Sequence, residues 1–276
     1  MRRYPVTLAE LEAAMGESWL RRARSRTERF RQAGRYDEPS GIWSEIKGVY
    51  VALQDGKCAY CERKIGTDPA YAAESDLEHF RPKARVQEWD GAPGGAEAKG
   101  YYLLAYHPFN YAMACIRCNR GLKLDRFPVA GVRILDGEDP VALRSEAPLL
   151  LYPIGDVDDD PAELISFVGY AAVPAGDDVR ARVTIAFFRL GAEAERDDDL
   201  VMERARVVRV LYMANLLLRA GTMVREFRDE IAFAQSPAAP HSRCAACYQQ
   251  VCERDWVQAE LLFGAAGDFL RSKGLL

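Results

Sequence analysis

The sequence predicts an α+β protein: a small core of short strands and turns gathered around paired cysteines, followed by a mainly α-helical C-terminal half. Three observations predict it. Between Lys57 and about Pro128 the apolar runs are short and are interrupted by turns and by two Cys-x-x-Cys knuckles. From Val183 onward apolar residues recur at helical spacing, and an amphipathic helical pattern also opens the chain. The expected organisation is therefore a helical, Arg-rich arm over 1–56, a compact module over 57–133, and an acidic linking region with a helical C-terminal domain over 134–276.

In the arm, Leu8, Leu11, Met15, Trp19 and Leu20 fall at near-helical spacing, and the first 36 residues hold nine arginines against four glutamates. This pattern suits a solvated helix face, or an arm that touches phosphate or a partner. Gly34 to Gly41, with Pro39 and Ser40, marks a break before a second helical stretch from Ile42 to Leu53. In the module, Asp90-Gly91-Ala92-Pro93-Gly94-Gly95 reads as an exposed loop. Residues 134–180 read as loops and short strands around Leu149-Leu150-Leu151-Tyr152. Asp156, Asp158, Asp159 and Asp160 stand before Pro161 without the alternation, central Gly and terminal Glu of an EF-hand, and so read as a helix-capping acidic turn. Met202 to Leu218 marks a long helix, Val224 to Phe233 a second, and about Cys244 to Phe269 a last one.

Composition bounds the function. With 49% hydrophobic and 28% charged residues over 276 positions, the chain can bury a sizeable core and is not a disordered one. No apolar run is long enough for a membrane span, and Met1-Arg2-Arg3-Tyr4-Pro5 lacks a secretory signal's apolar region, so a reducing, cytoplasmic setting is expected. The net charge of −4 argues against a uniformly basic nucleic-acid binder. It divides unevenly: +5 over 1–133, −11 over 134–199 and +2 over 200–276.

The chemistry is expected between the knuckles. Cys58-x-x-Cys61 and Cys115-x-x-Cys118, 53 residues apart, supply the four thiolates that close a tetrahedral structural zinc site. His79 is one of only three histidines and lies in Asp76-Leu77-Glu78-His79-Phe80-Arg81-Pro82-Lys83, whose alternation suggests a short strand ended by Pro82. Asn110 follows in Pro108-Phe109-Asn110-Tyr111, and Asn119 follows the second knuckle in Cys115-Ile116-Arg117-Cys118-Asn119-Arg120-Gly121-Leu122-Lys123. His107 reads as structural. His241, Cys244, Cys247 and Cys252 invite a second metal, but Cys244, Tyr248, Val251 and Cys252 share one helical stripe and read as buried thiols.

The order CxxC, Glu-His, Asn, CxxC-Asn, Lys resembles the HNH nucleases, and in particular the HNH proteins of Septu-type anti-phage systems and their retron-associated relatives. The resembling strings are Lys57-Cys58-Ala59-Tyr60-Cys61-Glu62, Leu77 to Lys83, and Cys115 to Asn119 followed by Phe127-Pro128, with weaker echoes at Leu149 to Pro153, Asp160-Pro161 and Thr184-Ile185. The resemblance implies a ββα-metal nuclease core and a hydrolase acting on phosphodiester bonds, DNA being the favoured substrate. It implies that His79 is the general base, that Glu78 and Asn119 are ligands of a catalytic Mg²⁺ or Mn²⁺, and that Asn110 holds the loop carrying His79. It also implies an ATPase partner of the SMC or ABC type, since the chain itself has no GxxxxGK[ST] loop.

The chemistry of these residue types agrees with those roles: histidine titrates near neutral pH, and one carboxylate with one amide oxygen suits a hard cation. Arg81, Lys83, Arg117, Arg120 and Lys123 cluster around the same residues as candidate phosphate contacts, Lys123 foremost. The alternatives are an RNA- or tRNA-directed nuclease with the same site, and a zinc-fold nucleic-acid-binding or scaffold protein without catalysis.

Overall fold

The computed structural model describes residues 1–65, 75–87, 89–91, 98–191, 198–222 and 224–276. The chain opens with α1 (Leu8–Met15), started by a reciprocal cap in which Thr7 Oγ1 accepts from Glu10 N–H and the Glu10 carboxylate accepts from Thr7 N–H. The single opening helix expected from the periodicity is divided at Gly16, whose φ of 81° is inexpensive only for glycine. Helix α2 (Glu17–Ala33) buries Trp19, Leu20, Ala23 and Phe30. Its opposite face is the solvated one: Arg22 pairs with Glu45, Arg26 and Arg29 with Glu38, and Arg31 with Glu138. A 3₁₀ turn (Trp43–Ile46) and α3 (Lys47–Leu53) occupy the second expected helical stretch.

The compact module follows. Strand β1 (Ser75–His79) pairs antiparallel with β4 (Tyr111–Cys115), with His79 opposite Tyr111 and Glu78 opposite Ala112. The short pair β2 (Arg85–Val86) and β3 (Ala98–Lys99) leads back through two 3₁₀ turns, Tyr102–Leu104 and Pro108–Asn110. After β4 the chain enters a π-helical turn, Arg117–Lys123. A strand, a second strand and a helical turn are thus contiguous. Of the expected exposed loop, Asp90 and Gly91 are exposed and the rest lies outside the described residues.

The middle region departs from expectation in one respect. Leu149, Leu150, Leu151 and Tyr152 are core residues but not a strand: Leu149 N–H donates to Pro128 O at the isolated bridge Val129–Pro148, and pairing stops there because side chains take the next N–H groups, Thr184 Oγ1 that of Leu151 and the Asp158 carboxylate that of Tyr152. The strands come later, as β5 (Ile165–Val168) and β6 (Ala171–Pro174). The acidic turn is used internally. Asp158 and Asp159 pair with Arg180, Asp159 also with Arg144, and Asp160 caps α4 (Pro161–Leu164) through Ala162 N–H.

Helices α5 (Val179–Phe187), α6 (Asp198–Arg219), α7 (Val224–Gln235), α8 (Ser242–Arg254) and α9 (Trp256–Ser272) complete the chain. The last expected helix is two, because Asp255 leaves helical geometry at φ −145° and caps α9 by accepting from Gln258 N–H. Buried apolar side chains from Met1 to Leu270 form one contiguous core. Among the described residues no helix is long and apolar enough to cross a membrane.

Candidate metal centre and histidine cleft

Backbone pairing brings the two knuckles together. Strand β4 ends at Cys115, and the first knuckle docks on it through the hydrogen bond from Ala59 N–H to Met113 O at 2.8 Å. Gln54, fully buried at the end of α3, accepts from Met113 N–H at 2.7 Å and donates to Met113 O and Lys57 O at 3.1 and 2.8 Å. The sulfurs of Cys58, Cys61, Cys115 and Cys118 consequently lie within 4.8 Å of one another, all buried. A tetrahedral zinc with ordinary thiolate bonds sets its sulfurs about 3.8 Å apart. Cys61 and Cys115 Sγ are 3.8 Å apart, and Cys118 N–H points at Cys115 Sγ, so this donor set fits a metal ion such as zinc.

Beyond the strand pair, Trp43, Asp76, His79, Lys83, Asn119 and Arg120 line a cleft of about 260 Å³. His79 lies at the end of β1 between two aromatic rings, with Trp43 and Tyr111 each 4.9 Å away in edge-to-face geometry. Its Nε2 is 3.1 Å from Ala105 O. A carbonyl oxygen only accepts, so Nε2 carries the hydrogen and Nδ1 keeps its lone pair. Burial, reinforced by the charge of Lys83, pushes the imidazole pKa well below its ordinary value, so the ring is neutral at pH 7.

Asn110 is buried one turn away, where its Oδ1 accepts from Arg81 N–H at 2.7 Å and its Nδ2 donates to Arg81 O and Leu104 O, each at 3.0 Å. It therefore ties the segment after His79 to the segment before β4. His107 supports the same turn by accepting Phe109 N–H on Nδ1.

The two carboxylates of β1 are both engaged. Glu78 is 3% exposed; its Oε1 is 2.7 Å from Lys123 Nζ and its Oε2 accepts from Tyr60 O–H at 2.6 Å. Asp76 is held by Arg120 through two hydrogen bonds of 2.7 Å and by Asn119 Nδ2 at 3.0 Å. Burial alone would raise the Asp76 pKa, but the hydrogen bonds from Arg120 and Asn119 outweigh it and hold the carboxyl below its usual range. Asn119 thus meets Asp76, not Glu78. Lys123 Nζ stands at Oε1 of Glu78 and Tyr60 O–H at Oε2, so an ion arriving at Oε1 meets the Lys123 ammonium.

The expected cationic residues separate into two groups. Lys83 and Arg120 line the cleft, and Lys83 Nζ lies 4.5 Å from the centre of the Trp43 ring. Arg117 is half-buried and is not part of the cleft wall among the described residues. Arg81 and Lys123 are held in buried ion pairs: Arg81 lies against Glu146 at 3.3 Å and over Phe127, and Lys123 is fully buried on Glu78. Each was drawn inward by a carboxylate that only the fold brings opposite it.

Trp43, Tyr60, Gln54 and Asp76 are the site residues that spacing did not single out. For Tyr60 and Asp76 a signal existed, since both lie inside motif strings. Trp43 and Gln54 come from the arm and carry none.

The C-terminal thiols do not assemble. Cys244 Sγ donates to Gly169 O, Cys247 Sγ faces Ser166, and His241 Nε2 is 2.8 Å from Glu203. Among the described residues the four knuckle cysteines are the one cluster suited to a metal.

Against known proteins, 122 residues of the chain are 34% identical to the Septu protein PtuB of Bacillus mycoides (strain KBAB4). The matched stretch is 44% of this chain and 38% of that relative, so the chain spans about two fifths of the relative's length. No family model matches the chain, and no solved structure matches it. The likeness is to a Septu protein, over a stretch shorter than half of either chain.

Proposed function

We propose that the chain is a nuclease of a Septu-type anti-phage defence system, and that it hydrolyses phosphodiester bonds, DNA foremost, in the cleft between β1 and the Arg117–Lys123 turn. The observation that carries this reading is His79: a neutral imidazole fixed by Ala105 O, with Nδ1 free to take a proton, beside Lys83 and Arg120. His79 removes a proton from water, the oxygen attacks phosphorus, and the P–O3′ bond breaks to leave a 5′-phosphate and a 3′-hydroxyl once the leaving oxygen gains a proton from solvent. Lys83 and Arg120 hold the phosphate oxygens and offset their charge. Asn110 positions His79 through the backbone on both sides of Arg81. Zinc at the four cysteines braces this module as a structural ion.

The resemblance adds a Mg²⁺ or Mn²⁺ requirement and an ATPase partner of the SMC or ABC type that gates cleavage. The likeness to a Septu protein supports a defence role in company with partner proteins. A non-catalytic scaffold is the second reading, favoured by the one observation that Lys123 already neutralises Glu78.

The test is nicking of supercoiled plasmid, and breakdown of total RNA, by the zinc-loaded chain with Mg²⁺ or Mn²⁺, compared with His79→Ala. Plasmid nicking that falls about 10²–10⁴-fold in the variant is expected. Equal cleavage by both proteins removes His79 from catalysis. RNA breakdown without nicking reassigns the substrate, and no cleavage of either by the chain with its partner favours the scaffold.

A further inference from the structure

We propose that Lys123 is an internal competitor for the divalent cation at Glu78, so that the resting chain binds this ion weakly and takes it up together with nucleic acid. The inference rests on the nuclease reading of the cleft and adds its regulation. Three observations carry it.

The first is occupancy. Lys123 Nζ lies 2.7 Å from Glu78 Oε1 and donates to His79 O at 3.1 Å, while Tyr60 O–H fills the other oxygen of Glu78. The ammonium therefore bridges the two motif residues at the end of β1. The second is burial: Lys123 is fully buried and Glu78 is 3% exposed. A divalent ion arriving at Glu78 would place three positive charges against one carboxylate in a poorly solvated site, unless Lys123 leaves or anions arrive. Asp76 offers little relief, being bound by Arg120. Phosphate oxygens supply the missing negative charge.

The third is the element that carries Lys123. It closes a π-helical turn, a form seen mainly as short strained insertions, and the next residue, Leu124, is a non-glycine at φ 50°. That strain would be relieved if the turn rearranged as the lysine, on its flexible four-carbon stem, withdraws.

The test is Mn²⁺ binding followed by electron paramagnetic resonance on the zinc-loaded chain, with and without a non-hydrolysable phosphorothioate oligonucleotide. The wild-type protein is expected to bind Mn²⁺ at least tenfold more tightly with the oligonucleotide than without it. Lys123→Gln, which can still donate to His79 O, is expected to bind Mn²⁺ at least tenfold more tightly than wild type when nucleic acid is absent. Lys123→Arg keeps the charge and is expected to stay as weak as wild type, and adding Glu78→Gln to Lys123→Gln is expected to abolish the gain. Equal Mn²⁺ affinity of wild type and Lys123→Gln overturns the proposal. So does tight binding by the wild type alone, which remains readable if the variant fails to fold. Nicking without a Mn²⁺ gain rejects the competitor alone; a Mn²⁺ gain without nicking rejects the nuclease reading alone.

Discussion

Cys58, Cys61, Cys115 and Cys118 bring four sulfurs within 4.8 Å of one another, whereas His241, Cys244, Cys247 and Cys252 send theirs to separate partners. Both stretches show cysteines three residues apart. They differ in backbone. The first pair of thiols sits on a turn and the second pair follows a strand end, and the hydrogen bond from Ala59 to Met113 docks one on the other. The C-terminal thiols lie along one helix, α8, which spreads its side chains into a core. Burial pushes the Cys244 thiol up to about 12 and the Cys252 thiol up to about 11, which keeps them protonated small apolar groups. Thiol spacing therefore indicates a metal only where two separate segments are held face to face.

The largest expected effect breaks the first region. Cys115→Ser, or prolonged chelation, should abolish cooperative folding of the module, because structural zinc contributes roughly 10 kcal/mol or more to comparable small sites. Metal analysis alongside thermal unfolding checks this; a variant that melts as wild type with no zinc bound contradicts it. Metal analysis of the wild type should give one zinc per chain, and two would overturn the contrast between the stretches. Next comes the docking residue. Gln54→Ala takes the partner from buried Met113 N–H and Lys57 O, while Met113 O keeps its bond from Ala59 N–H, and should cost about 2–4 kcal/mol in urea unfolding, with zinc affinity falling in parallel.

Cys244→Ala should cost only about 1 kcal/mol by the same measurement and leave the zinc content unchanged, as expected for removal of one small buried group.

At neutral pH the smallest effect is that of His107, which acts only in acid, through a pH response of the knuckle module. Burial lowers His107 to about 4, so the folded state refuses a proton that the unfolded chain accepts below about pH 6.5. Its contribution is fully present above pH 6.5 and is lost as pH falls toward 4. His107→Gln should flatten the acid limb of the stability curve by on the order of 2 kcal/mol, and an unchanged limb would show that other groups dominate it.

Much of the site was legible because it depends on local pattern. The alternation around Leu77 and His79 with Pro82 after it specifies a strand end, and β1 ends at His79. The acidic residues before Pro161 specify a cap, and Asp160 supplies it. Helix lengths were less legible, since Gly16 and Asp255 interrupt patterns whose apolar spacing runs on unbroken.

The sequence by itself determined which residue types share the module: four thiols in two tight turns, a histidine at a strand end and an amide ahead of β4. These follow from short-range geometry, which spacing encodes. Only the tertiary structure decided which way the long charged side chains point. Lys123 turns onto Glu78, Arg81 onto Glu146 and Arg120 onto Asp76, and Trp43 arrives from the arm to wall the cleft. Lys123 and Arg81 go where the fold places a buried carboxylate, because an unpaired buried charge is costly, whereas Arg120 and Asp76 pair while partly exposed in the cleft wall.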